Sequence, residues 1–382
     1  MQAHSDIVIA GGGPVGATLA LLLADSRFSV QLIEARADLS RPLHRRTLAL
    51  SYGSRLILER LGVWATLRDV TPITTIHISQ RGALGMAWIK AAEENLPALG
   101  YVVDYAELDQ ALHARLRATT VDVVCGARVA AIRRTGGYAL LEVQRDSVRH
   151  ALTTRLAVIA DGGAGAAQRV TRDYGQHALI ATVTTELPHQ NCAFERFTPD
   201  GPAALLPQGD ACALVWTATP ERVAALLELP EADFLVQLHA HFGDRLGRFL
   251  SVSARGRFPL GLRYAARPIQ PHQVMIGNAA QMLHPVAGQG FNLGLRDAWE
   301  LAEVIRTRPH GELGSAAMLM GYRRQRQLDT RGGIFFTDLL VRLFSNDNAL
   351  LKHGCSLGLS ALQLLPPVKH FVARRMIFGA RG

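Results

Sequence analysis

The feature that most constrains this chain lies near its start: Gly11-x-Gly13-x-x-Gly16, directly behind the apolar run 7–10. A helical Ala/Leu-rich segment, residues 17–24, comes next, followed by a second apolar run, 30–33, that ends in Glu34. Strand, glycine turn, helix and strand in this order make a βαβ unit. Gly11 permits the tight turn, Gly13 lets a pyrophosphate approach the backbone, and Gly16 lets the helix pack on the strand. Pro14 and Val15 open that helix and share the expected cofactor contact. Its first N–H groups and partial positive charge suit phosphates. Glu34 stands at about the ~20-residue offset where an acid takes ribose hydroxyls. An acid there disfavours a 2′-phosphate, so FAD or NAD is expected at this site rather than NADP.

Two later segments resemble strand ends that return to the same place. Residues 155–160 form an apolar run that leads into Asp161-Gly162-Gly163, and residues 274–276 form another that leads into Gly277-Asn278. The second continues through His284-Pro285 to Gly288-Gln289-Gly290 and Asn292, just before a helical pattern over 291–307. Gly288 and Gly290 allow close approach of backbone to a flat ring. A helix start at that point can aim N–H groups at the edge of a flavin that becomes negative on reduction. Asn278 is placed to hydrogen-bond a ribityl or ribose hydroxyl.

Between these segments the pattern changes. Short β-like runs fill 71–103, and a β-rich stretch from 178 to 259 carries helices near 220–229 and 234–242. Helical patterns also cover 54–67 and 106–116, and helix-like segments follow Gly314. The expected class is α/β: a discontinuous Rossmann-like FAD-binding domain (1–70, 104–178 and 268–310) with an inserted β-rich substrate domain (71–103 and 179–267) and a helical C-terminal region (311–382).

Composition removes other classes. The 382-residue chain has no stretch near the ~20 apolar residues that span a bilayer. The run 18–24 is short and lacks a basic leader, so no signal peptide is expected there and the protein is expected to be cytoplasmic. Cys125, Cys192, Cys212 and Cys355 are scattered without a C-x-x-C pair, and no metal site is expected. The net charge of +9 comes almost wholly from arginine spread along the chain, which argues against nucleic acid as a partner.

The three segments together resemble the class A flavoprotein aromatic hydroxylases. Asn278 and Gln281 in the late motif, with Phe194-Glu195-Arg196-Phe197-Thr198-Pro199-x-Gly201-Pro202 and Thr337-Asp338-x-Leu340-Val341-x-Leu343-Phe344-x-Asn346, resemble the UbiH-type 2-polyprenyl-6-methoxyphenol hydroxylase branch. The resemblance covers nearly the whole chain. It implies an enzyme, an FAD-dependent aromatic monooxygenase with NAD(P)H as electron donor, which hydroxylates a polyprenyl phenol with O2 in ubiquinone biosynthesis. It also implies an FAD contact for Arg46. The chain departs from the family pattern at Gly165, where serine is usual, and at Asp104-Tyr105, where arginine is common. No cofactor role is carried onto those positions.

No catalytic base is singled out among His177, Tyr264 and His284. An apolar groove for a lipid-tailed substrate is expected on the inserted sheet at Phe194, Phe197, Leu205, Leu206 and Trp216. Residues 357–378 mix Leu and Phe with Lys369, Arg374 and Arg375, a composition suited to peripheral membrane contact or to association with other ubiquinone-pathway proteins. Three alternatives stay open: a different FAD monooxygenase, a halogenase or reductase on the same fold, and a non-catalytic FAD-binding assembly protein.

Overall fold

The computed structural model describes residues 3–40, 46–165, 169–283, 288–344 and 349–380. His284, Pro285 and Asn346 lie outside them. Nine helices are described: α1 Pro14–Leu23, α2 Tyr52–Arg60, α3 Tyr105–Leu116, α4 Pro220–Glu228, α5 Glu231–Phe242, α6 Gln289–Thr307, α7 Ala316–Phe344, α8 Ala349–Leu364 and α9 Pro366–Phe378. The helix expected over 54–67 divides, because Gly62 turns left-handed (φ 66°) and only a single helical turn, Trp64–Thr66, follows.

Five strands form a parallel sheet in the order Gln273–Met275, Val148–Ile159, His4–Ala10, Val30–Glu34, Asp122–Cys125. The hairpin Ala127–Thr135 and Tyr138–Arg145 extends it antiparallel from Val148–Ile159. The parallel strands are apolar on both faces because both are covered: helices pack on one, and on the other Val8, Ile33, Val124 and Ala157 pack against Ala139, Leu141 and Val143 of the hairpin. Ile7, Ile9, Leu32, Leu156 and Val158 meet Leu19 and Leu23 of α1 and Leu301 and Ile305 of α6 in one fully buried core. Truncating any one of these leucines to alanine is expected to cost about 2–5 kcal/mol.

The register positions the site. Ala10 pairs with both Ile33 and Ile159, and Ile159 pairs with Met275. Four strands therefore end in one row, and the chain leaves them at Gly11, Glu34, Ala160 and Ile276. Ligands of open parallel sheets bind beyond such carboxyl ends.

A second, nine-stranded sheet is almost entirely antiparallel. Its long strand Arg169–Thr185 belongs to it from the first residue, ahead of the expected boundary at 178. Thr75–Gln80 and Met86–Lys90 complete the far edge. Thr71–Ile73 and Gly100–Asp104 do not join it; they pair with Thr47–Ser51 in a small third sheet.

The expected groove on the nine-stranded sheet is corrected. Leu205 and Trp216 are buried beneath α4 and α5, against Phe234 and Leu238. Phe197 is covered by Leu359 of α8. Leu206 points the other way, toward Ile73 and Val102, because neighbouring strand residues face opposite sides.

Candidate active site

A cleft of about 500 Å³ opens along the row of strand ends. Its lining draws on all three segments: Gly11, Gly13, Pro14 and Val15 from the first, Asp161 and Gly162 from the second, Asn278 and Gly290 from the third. Glu34 and Arg46 line it as well. The volume is that of a ligand pocket rather than a packing defect.

The glycines divide by what surrounds them. Gly11 has φ 110°, and a Cβ there would run into the Ala160 carbonyl. At Gly16 a Cβ would collide with the Gly11 carbonyl oxygen, so this residue sets the contact between helix and strand. At Gly13 a Cβ would meet nothing within 4 Å. Gly13 is thus not needed to close the fold; its bareness keeps the cleft open. It also N-caps α1 without a side-chain bond, and Pro14 at the first helical position sacrifices no needed N–H. The free amides of this helix start make an anion site.

Glu34 is buried and already engaged. It accepts hydrogen bonds from the Gly12 amide at 2.6 Å, the Arg36 amide at 2.8 Å and Arg36 Nε at 3.1 Å. Arg36 also lines the cleft and donates from Nη1 to Asp109 at 2.7 Å. Burial works against the Arg36 charge, but Asp109 and Glu34 outweigh it and hold its pKa above the ordinary value. Burial would likewise raise Asp109; bonds to His113 and Arg36 hold it below the usual carboxylate range instead. Arg36 was missed from sequence. Its nearest signal is its place two residues after Glu34, whereas its anchors, Asp109 and His113, lie on α3.

Arg46 places its guanidinium carbon 3.9 Å from the centre of the Tyr105 ring, a cation–π contact at the cleft wall. Tyr105, to which no role was assigned, lines the cleft together with Arg128. Burial raises the Tyr105 pKa against the opposing pull of Arg46. Asp104 caps α3 by accepting from the Ala106 and Glu107 amides.

Asp161 folds its carboxylate back on its own turn, accepting from the Gly163 and Gly165 amides, each at 2.8 Å. A Cβ at Gly165 would stand 2.9 Å from Asp161 Oδ2. The departure from serine at this position therefore fits the tight local turn.

In the third segment Asn278 is exposed on the cleft wall. Gly288 adopts φ 60° and starts α6. Gly16, Gly288, Gln289 and Asn292 are not among the described residues that line the cleft. Asn292 is buried and saturated. Its oxygen accepts from the Ser51 amide and Ser54 hydroxyl, and its nitrogen donates to the Ala49 and Gly288 carbonyls. It ties the start of α6 to the strand before α2. Gln289 instead lines two further cavities, of about 70 Å³ and 220 Å³, both reaching α9. The smaller is walled by Ile73, Ile89, Leu99 and Ile377.

Behind the third segment stands a buried ion network. Asp297 accepts from the Gly277 amide at 3.0 Å and from Gln281 Nε2 at 2.8 Å. Arg326 of α7 pairs with Asp297, Glu300 and Asp329 at 2.8, 3.2 and 2.7 Å. Burial opposes its charge, yet those carboxylates hold its pKa above the ordinary value. Gln281, one of the residues that carries the resemblance, thus acts as a strut for the Gly277 turn. Tyr264 packs on the Leu283–Leu293 patch, and His177 lies on the nine-stranded sheet outside the cleft lining.

A parallel sheet whose strand ends converge on a glycine turn, an acid and two returning loops defines a dinucleotide-cofactor oxidoreductase. The comparisons with known proteins carry this further. The FAD binding domain family matches residues 4–330, and the chain belongs to it. It is an FAD-dependent monooxygenase. It is 36% identical to the ubiquinone hydroxylase UbiL of Rhodospirillum rubrum, over 97% of this chain and 89% of that protein. It is 33% identical to the 3-demethoxyubiquinol 3-hydroxylase of Escherichia coli, over 94% of this chain and 95% of that one. Among solved structures, p-nitrophenol 4-monooxygenase of Pseudomonas putida superposes with a TM-score of 0.76, 15% identity and full coverage of both chains, a likeness of fold.

Proposed function

We propose that this monooxygenase hydroxylates the ring of a polyprenylated methoxyphenol in ubiquinone biosynthesis, with NAD(P)H as electron donor and O2 as oxygen source. The observation that carries the reading is the convergence of Gly13, Glu34, Asp161 and Asn278 on one cleft, in a chain whose relatives act on ubiquinone precursors.

The residues fit FAD. The start of α1 and the open space at Gly13 would hold the diphosphate, and Glu34 with Arg36 would take the adenosine ribose. Asn278 would hold the ribityl side, and Gly290 at the start of α6 would leave room for the ring. Arg46 on Tyr105 closes the wall. When bound, FAD supplies the electron transfer and oxygen chemistry. The chain's share is to orient the two partners and keep water out. The apolar cavity beside Gln289 supplies a dry wall for an aromatic ring. The parallel sheet is the cofactor domain in this reading and the nine-stranded sheet the substrate domain. Contact with a lipid surface or with other proteins of the pathway belongs to the same proposal.

The test is anaerobic reduction by NADH and by NADPH, with and without a short-chain prenyl methoxyphenol, then aeration and product analysis. Reduction accelerated by the phenol and a product carrying one added oxygen support the reading. Reduction indifferent to the phenol, with no oxygenated product, overturns it in favour of a reductase.

A further inference from the structure

The nine-stranded sheet carries a cluster that the cofactor cleft does not use, on the face beneath α5. Phe194 lies opposite His77, and Arg196 opposite Ser79, across the parallel pair Cys192–Thr198 and Thr75–Gln80. Residues two apart on a strand share a face, so His77, Ser79 and Arg196 stand together. The Arg81 amide continues this ladder to the Phe197 carbonyl at 2.9 Å, which brings Arg81 to the same edge. His241 of α5 packs on Trp216, with ring centres 4.6 Å apart. Arg245 follows α5 in the single helical turn Asp244–Leu246.

Among the described residues, three buried polar atoms of this cluster have no hydrogen-bond partner: Arg196 Nε, His77 Nε2 and His241 Nε2. His77 is only 1% exposed and His241 3%. Buried polar groups are almost always partnered, so three such atoms together call for an explanation. The charges point the same way. Burial, Arg245 and Arg81 all push the Arg196 pKa down, and no carboxylate opposes them. Beyond burial, the charges that act on His77 are Arg245 and Arg196, and those on His241 are Arg81, Arg196 and Arg222. Acids on the neighbouring segments are committed elsewhere, Asp244 to His239 at 2.9 Å and Glu186 to Arg248 at 3.3 Å. Arg222 donates to Gln237. Arg326 gives the contrast, a buried guanidinium held by three carboxylates. A guanidinium partly withdrawn from water among other cations destabilises the protein until an anion joins it.

We propose that Arg81, Arg196 and Arg245 form a second anion site, separate from the cofactor cleft, which binds a small phosphate group. Guanidinium forks match phosphate oxygens in paired, charge-assisted hydrogen bonds. Arg81 and Arg245 are exposed and give the ion a way in from solvent, while Arg196 is half-buried behind them. Ser79 and the two imidazoles bring a hydroxyl and ring nitrogens to the same cluster. The recessed position of Arg196 favours a small phosphate over the carboxylates of an acidic protein surface, which would meet only the outer two arginines. Free phosphate and a phosphomonoester share this chemistry, and the experiment separates them.

The test is titration calorimetry and thermal melting of the full-length, FAD-loaded protein, so that the cleft's own phosphate-binding turn is filled. The probes are inorganic phosphate and glycerol phosphate, each against chloride at equal ionic strength. The native protein is expected to melt about 3 °C or more higher at a phosphate concentration about a hundredfold above Kd, with no such rise in chloride. Tighter binding of glycerol phosphate identifies a phosphomonoester as the ligand, and tighter binding of inorganic phosphate identifies the free ion. Arg196→Met is expected to weaken binding about tenfold or more. In chloride it should melt at or above the native temperature, because the repulsion among the guanidiniums is relieved; a merely structural arginine would lower it. Arg245→Gln, at an exposed position that cannot disturb the core, is expected to weaken binding about threefold. The proposal fails if phosphate and chloride give the same native melting temperature, or if both variants bind phosphate as the native protein does. It fails equally if polyglutamate binds and neither phosphate probe does, since the arginines would then serve an acidic protein surface. Because no turnover is measured, failure here leaves the hydroxylase reading standing, and the reverse also holds.

Discussion

The cofactor cleft and the helical layer behind it are built by opposite means. The cleft is made of backbone: bare glycines, a proline at a helix start, free amides, and carboxylates folded onto local turns. The layer behind α6 is made of long side chains that meet from distant parts of the chain, with Arg326 at the centre of three carboxylates. The difference teaches where each kind of damage should register. A change in the cleft should remove the ligand and leave the fold, whereas a change in the layer should weaken the fold first.

The largest effect is expected in the layer. Arg326→Met leaves Asp297, Glu300 and Asp329 buried without their shared partner, and a loss of about 3–5 kcal/mol is expected. Urea or thermal unfolding measures it. A stable variant that has lost FAD would reverse the comparison, since the network would then serve the ligand and not the fold.

A somewhat smaller effect, of a different kind, belongs to the nine-stranded sheet. His77 is buried against Trp88 and Phe194, and burial, with Arg245 and Arg196 nearby, lowers its pKa to about 4. The imidazole is neutral when folded and takes a proton more readily when unfolded. Its contribution is therefore intact above the ordinary value of 6.5 and is lost as pH falls toward about 4, by roughly 3 kcal/mol in all. His241, lowered to about 3 by burial and by Arg81, Arg196 and Arg222, adds to the same slope. His77→Phe should reduce the pH dependence of stability in that window without abolishing it. An unchanged slope would show that His77 is not buried as described.

The smallest of the three lies on the border between the regions. Asn292→Ala removes the four hydrogen bonds that hold the start of α6 to the strand before α2, at an expected cost of about 2 kcal/mol. As a tie rather than a ligand group, Asn292 should weaken FAD binding only in proportion to that loss. A far larger drop in affinity at unchanged stability would place its amide on the cofactor.

The same contrast explains how much was legible in the sequence. Gly11, Gly16 and Glu34 answer demands set within one βαβ unit, so their spacing announces them. Asp161 and Asn278 each stand just after an apolar strand, and register alone brings those strand ends together. The Arg36–Asp109 pair joins residues 73 positions apart, and no local pattern marks it. Asn292 and Gln281 were read as marks of a cofactor loop, and the structure shows what their amides hold within the protein. The groove expected at Leu205 and Trp216 failed because alternation tells which residues share a face of a strand, but not which face the helices cover.

The account's central claim is that the first glycine turn holds FAD through space that Gly13 leaves open. The direct measurement is FAD stoichiometry, by absorbance and by quenching of flavin fluorescence, in purified native protein and in Gly13→Val. The account predicts one FAD per native chain. For the variant it predicts native circular dichroism and melting behaviour without FAD, because the new side chain enters the cleft and touches nothing else. Stoichiometric FAD in a folded Gly13→Val protein would contradict it.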